Sequence, residues 1–167
     1  MRNIIFIHGL ESSGTGFKGT YLKGLFPDIL TPNFRKFKKN LPLDSLLKER
    51  MAQLNLILKE KKTWVLIGSS FGGLMATLYA LRNPEKNTER LILLAPFLAT
   101  PLLQIDFNCS INIPTIIFHG KNDKVALYTA SRKRAYQLFS HLEYNTTEDH
   151  HDLNETITTL NWNKLVT

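Results

Sequence analysis

Cysteine is almost missing: the 167 residues hold one, Cys109. A lone thiol closes no intrachain disulfide, and its neighbours lack the spacing of a metal site. Covalent or metal staples are therefore not what holds the fold. Also missing is any apolar run near the roughly 20 residues that cross a bilayer. The N-terminal "MRNIIFIHG" reaches its turn glycine too soon for a secretory leader. These absences make no membrane and a reducing, cytoplasmic setting the expectation. Repeats, low-complexity tracts and linker-like stretches are lacking too, so one domain over residues 1–167 is expected.

Acidic residues are in short supply, 14 against 21 Lys and Arg, for a formal charge of +7. The excess gathers partly in "RKFKK" (residues 35–39) and "KEKK" (residues 59–62). No nucleic-acid motif accompanies either tract, so they read as a solvated loop and a solvated helix end, with no nucleic-acid partner. What is plentiful is apolar: 43% hydrophobic residues against 21% charged. A chain of this length buries about 70% of its unfolded surface.

Short apolar runs alternate with helical patterns. "NIIFIH" from Asn3 lacks polar alternation and reads as a strand buried on both faces. A helix over about 17–26 comes next, then a weaker strand, "DILTPNF". Leu43, Leu46, Leu47, Met51, Leu54, Ile57 and Leu58 recur at three- and four-residue spacing, an amphipathic helix that Asp44 or Ser45 could cap. "TWVLIGS" is a strand and "FGGLMATLYALRN" a buried helix, which Pro84 should stop near Asn83. "RLILLAPF" and "IPTIIFHG" are further buried strands. A helix over about 127–141, a strand "LEYNTT" and a helix from about Asp152 complete the chain. Such alternation gives an α/β fold: a three-layer sandwich with a mostly parallel sheet of about six strands. Ligands in such sheets sit at the carboxyl ends of the strands.

The glycine-rich stretch after the first strand, "HGLESSGTGFKG", admits two phosphate readings. Gly14-x-Gly16-x-x-Gly19 has dinucleotide-fingerprint spacing, but it starts five positions after Gly9 and not where the strand ends. The acidic residue expected about 20 positions on is replaced by the basic tract. An arginine there would suit a 2′-phosphate, so a dinucleotide-binding protein stays as the weaker alternative. Gly9-x-x-x-x-Gly14 continues with Thr15-Gly16 where a P-loop needs Lys-Ser/Thr. Gly14 and Gly16 read instead as letting the loop fold back beside a serine turn further along the chain.

That turn is "VLIGSSFGGLM", which holds Gly68-x-Ser70-x-Gly72 between an expected strand and an expected helix. Glycines two before and two after a serine leave room for a sharp, strained corner that exposes its hydroxyl. Ser69 fails the same test, since Ile67 and Phe71 flank it. Ser70 is the candidate nucleophile, set at a helix N-terminus that favours developing negative charge. A structural glycine turn is the plain alternative. A serine needs a base, and in folds of this kind the acid and then the histidine come later in chain order. Asp123 in "FHGKNDKV" lies just past a buried strand and is the candidate acid, with a turn aspartate as the plain alternative. His119 and His141 read as structural. In "DHHDL", His151 is favoured over His150, because it lies two residues before Leu153, the first of Leu153, Ile157 and Leu160 expected to be buried. A metal site from Asp149, His150, His151 and Asp152 has poor ligand spacing, and no metal is expected.

"FIHGL", "GSSFGG", "HGKND" and "DHHDL" together make the chain resemble the α/β-hydrolase superfamily over nearly its whole length. Within it the chain looks most like small, cap-less esterases of the YqiA type, in which the histidine is followed two residues later by an apolar residue, as His151 is by Leu153. It lacks two N-terminal strands and the cap of larger members. The resemblance implies an oxyanion hole from the backbone N–H groups of Leu10 and Phe71. It also implies a carboxylesterase-like serine hydrolase acting on a small ester or thioester, with no cofactor. An open, shallow site with short acyl chains is expected, with Ser12, Ser13 and Phe97 near its mouth. A binding module that keeps the triad without using it is the competing class.

Overall fold

The computed structural model describes residues 2–59, 63–84, 88–104 and 110–167. Cys109 and the end of the lysine-rich tract, Glu60–Lys62, lie outside them. In chain order the elements are β1 (Asn3–Ile7), α1 (Phe17–Leu25), α2 (Leu43–Leu58), β2 (Trp64–Ser69), α3 (Phe71–Arg82), β3 (Thr88–Leu94), β4 (Thr115–Gly120), α4 (Tyr128–Leu138), β5 (Leu142–Thr147), α5 (Thr156–Thr159) and α6 (Trp162–Val166). The strands form one sheet in the order β1-β2-β3-β4-β5, and every pair is parallel.

Alternate residues along each strand feed opposite faces, so the apolar runs build two cores. Ile5, Ile7, Leu66, Leu91, Leu93 and Ile117 pack with Met51 and Leu54 of α2, the interior of α3, and Ala135 and Leu138 of α4. Ile4, Phe6, Val65, Ile67, Ile92 and Phe118 pack on the other face with Leu22, Ile157 and Trp162. Covering both faces is what parallel strands require. Each fully buried Leu or Ile contributes about 1.5–3 kcal/mol. Among the described residues no helix is long and apolar enough to cross a membrane.

Among the described residues the sheet has five strands, where about six are expected. The weaker strand is a single bridge, Ile5 to Leu30, at the β1 edge. Leu30 N–H donates to the Ile4 carbonyl at 3.0 Å and Phe6 N–H to the Leu30 carbonyl at 2.8 Å. The next rung needs an N–H at position 32, and Pro32 has none. The expected terminal helix is broken as well. Leu153, fully buried, adopts a left-handed conformation (φ 52°), so helix begins only at Thr156. The hydroxyls of Thr158 and Thr159 turn back onto the carbonyls of Glu155 and Thr156, and the chain is extended again by Leu160.

Smaller differences concern caps and ends. α2 starts after Pro42 with no side-chain cap, and Asp44 serves the Ser45 N–H within the first turn. α4 stops at Leu138, so His141 lies in the turn into β5. The glycine-rich loop lies beside the serine turn at Gly9, whereas Gly14 folds back against residues 31–33. Gly14 N–H donates to Asn33 Oδ1 at 2.9 Å, and a side chain at Gly14 would strike the Thr31 carbonyl.

Candidate active site

Ser70 occupies the corner between β2 and α3 with φ 53° and ψ −114°. The corner is pinned through its backbone: Ser70 N–H donates to the Leu94 carbonyl at 2.9 Å, and Phe97 N–H reaches the Ser70 carbonyl at 3.1 Å. The flanking glycines are needed for close approach. A β-carbon at Gly72 would enter the Ile7 carbonyl, and one at Gly68 would lie 2.6 Å from the Gly72 carbonyl. The GxSxG spacing thus lets α3 start directly against β1, with the serine hydroxyl at the strands' carboxyl ends.

Ser70 Oγ lies 2.9 Å from His151 Nε2, and His151 Nδ1 lies 2.7 Å from Asp123 Oδ2. A carboxylate only accepts, so Nδ1 carries the proton and Nε2 is free to take the serine's. His151 is partly exposed and Asp123 is buried. His150 makes no such approach; its backbone N–H donates to Asp149 Oδ1 at 2.7 Å and the residue is exposed.

Asp123 stands just past β4 with both oxygens occupied. Oδ1 accepts the N–H groups of Val125 and Ala126, each at 2.8 Å. Oδ2 accepts from His151 and from His119 Nε2 at 3.0 Å. Burial pushes the Asp123 carboxyl up, but the hydrogen bonds from His151, Ala126 and Val125 outweigh it and hold the group below its ordinary value. His119 Nε2 also meets the Ala126 carbonyl at 2.7 Å, so that nitrogen is protonated, and Nδ1 accepts from the Tyr144 hydroxyl at 2.8 Å. Burial keeps this imidazole's pKa low and the ring neutral. Beyond its expected structural place, His119 is a second donor to the carboxylate that His151 uses.

The loop bearing His151 comes after β5 and is tied at its base. Asp149 Oδ2 takes the Thr156 N–H and hydroxyl, each at 2.9 Å. Burial raises the Asp149 pKa, and the bonds from Thr156, His150 and Glu155 more than reverse this. Asp149 is thus committed to the loop's backbone and His151 to Asp123 and Ser70. Among the described residues no group of His, Cys, Asp and Glu has the arrangement of a metal site.

A cleft of about 450 Å³ opens over Ser70. Leu10, Phe71, Ser12 and Phe97 line it, as do Leu43 and Val125; Ser13 is not among the lining residues, its hydroxyl facing Thr15 Oγ1 at 3.3 Å. The buried His8 ring, kept neutral by burial, donates from Nδ1 to the Gly9 carbonyl at 2.8 Å and accepts the Phe34 N–H at 3.0 Å. Beside it lies Arg50 of α2, fully buried, donating to the carbonyls of Gly9 (3.1 Å), Leu10 (2.8 Å) and Arg35 (2.8 Å). Burial lowers its pKa to about 10, so it stays charged at neutral pH. Sequence reasoning did not single out Arg50, although a signal existed: it falls in phase with Leu46, Leu47, Met51 and Leu54 on the apolar face of α2.

Neither the protein-family models nor the curated proteins include a match to this chain. Solved structures do match. Alpha/beta hydrolase domain-containing protein 10 from mouse is 16% identical with a TM-score of 0.76, over 98% of this chain and 89% of that one. Ferulic acid-bound Est1E from Butyrivibrio proteoclasticus is 16% identical with a TM-score of 0.69, over 100% and 90%. An alpha-beta serine hydrolase homologue from Coxiella burnetii is 18% identical with a TM-score of 0.66, over 93% and 80%. The chain has the α/β-hydrolase fold in a minimal form, five-stranded among the described residues.

Proposed function

We propose that the protein is a serine hydrolase, carboxylesterase-like, that cleaves small ester or thioester substrates through an acyl-enzyme. One observation carries the reading: a strained corner serine, an imidazole and a buried carboxylate in series, at 2.9 Å and 2.7 Å. Ser70 Oγ attacks the carbonyl carbon while His151 Nε2 accepts its proton. Asp123 holds the Nδ1–H tautomer and stabilises the imidazolium that forms. The tetrahedral oxyanion is bound by the backbone N–H groups of Leu10 and Phe71. His151 then returns the proton to the leaving oxygen or sulfur, and water attacks the acyl-enzyme by the same route. Each donor of such an oxyanion hole is worth about 100- to 1,000-fold in rate. Leu43, Phe97 and Val125 give the cleft an apolar wall against which a short acyl chain can rest.

A panel of aryl esters, run beside labelling with a fluorophosphonate, tests this. Wild type is expected to turn over short-chain esters and to be labelled at Ser70; Ser70→Ala should lose both, with turnover down by at least about 1,000-fold. Equal turnover by the two proteins removes the serine mechanism. Folded wild type that resists the label and cleaves no ester is a binding module.

A further inference from the structure

Arg50 holds the backbone at Leu10 and lies over the Phe71 ring, and the role inferred for it rests on the hydrolase reading, in which the N–H groups of these two residues bind the oxyanion. The peptide between Gly9 and Leu10 is planar and trans, so the Gly9 carbonyl and the Leu10 N–H point in opposite directions. The carbonyl is held from within the protein by Arg50 Nη1 at 3.1 Å and His8 Nδ1 at 2.8 Å. The N–H therefore faces the other way, towards the cleft that Leu10 lines with Ser70. Arg50 Nη2 fixes the next peptide by its carbonyl, Leu10 O, at 2.8 Å, and Nε anchors the fork to the Arg35 carbonyl at 2.8 Å. The guanidinium carbon also lies 5.4 Å from the centre of the Phe71 ring, whose backbone supplies the other donor. One side chain thus holds the peptides on either side of Leu10 and lies over the Phe71 ring, without lining the cleft.

A buried cation ordinarily needs a carboxylate. Among the described residues Arg50 has none; its donors go to the carbonyl oxygens of Gly9 and Leu10 and to that of Arg35 in the segment leading to α2. We propose that Arg50 is a positioning residue that sets and polarises the Gly9–Leu10 peptide, so that the Leu10 N–H is aimed at the oxyanion before substrate arrives. The planar fork matters as well as the charge. A lysine ammonium carries its three donors on one nitrogen and does not reproduce the planar spread with which three separate nitrogens meet the Gly9, Leu10 and Arg35 carbonyls. Substrate binding does not use this group, so its loss shows in the chemical step.

Arg50→Met and Arg50→Lys test the assignment, with kcat and KM measured on an aryl ester and expressed per folded molecule from urea denaturation curves. The expected result for Arg50→Met is a kcat lower by about 10- to 100-fold with KM within about two-fold. An alkylboronic acid, which forms a tetrahedral adduct on the serine, should weaken in parallel with kcat/KM. Arg50→Lys should recover part of both. Wild-type kcat per folded molecule in Arg50→Met, or a loss confined to KM, overturns the assignment. Failure of both variants to fold overturns it too, since Arg50 is then a structural residue only. An inactive, unlabelled wild type removes the hydrolase reading itself, and the assignment with it, which separates the two failures.

Discussion

Ser70 holds a backbone conformation (φ 53°, ψ −114°) that side-chain-bearing residues adopt only when their surroundings impose it. Such strain is worth about 1–3 kcal/mol, and glycine at the same place would relieve it. Ser70→Gly is therefore expected to gain about 1 kcal/mol in urea denaturation, after the extra unfolded-state freedom of glycine is subtracted. A loss of stability would show that the corner is unstrained. The position of this serine was legible because GxSxG describes a steric requirement of the chain's own neighbourhood. Asp123 was legible on other grounds, its place after the serine in chain order and just past a strand end. Arg50 was not, since its targets at Gly9 and Leu10 are forty residues away and only packing of α2 brings them together.

At the level of elements, strand ends decide the geometry. The loop carrying His151 is laid across the end of β4, where a β-carbon on Gly120 would lie 2.6 Å from the His150 carbonyl and closer still to that of Asp149. Gly120→Ala should displace this loop while leaving both cores in place. A misplacement near 1 Å is worth about 100-fold in rate, so kcat should fall by that order with modest thermal destabilisation. Unchanged kinetics would mean the loop yields without moving the imidazole. The major strands and helices were readable from apolar runs and three-to-four spacing. Boundaries were misread where a single residue overrode the pattern: Pro32 ended a strand after one rung, and left-handed Leu153 delayed a helix that apolar spacing alone placed at Asp152.

Across the whole molecule, buried titratable groups set the response to acid. Burial lowers the pKa values of His8 and His119 from 6.5. The unfolded chain therefore binds more protons than the folded one below about pH 6.5, and stability must fall as pH drops. The slope is bounded at about 1.4 kcal/mol per pH unit for each histidine. Asp123 and Asp149, both held below 3.8, add a second loss that begins near that pH and continues through their folded values. Urea denaturation from pH 8 to 3 should show a plateau, a decline starting near 6.5, and a steeper one near 4. A flat profile between pH 7 and 5 would mean that these imidazoles take up protons in the folded state as readily as in the unfolded chain.

His119 and His151 meet on a single oxygen, Asp123 Oδ2. One unit of negative charge offsets one imidazolium, and a positive His151 further disfavours a positive His119. The interior ring must therefore stay uncharged whenever the outer one ionises. It works as an electrical ballast, filling a lone pair on the aspartate without competing for its charge.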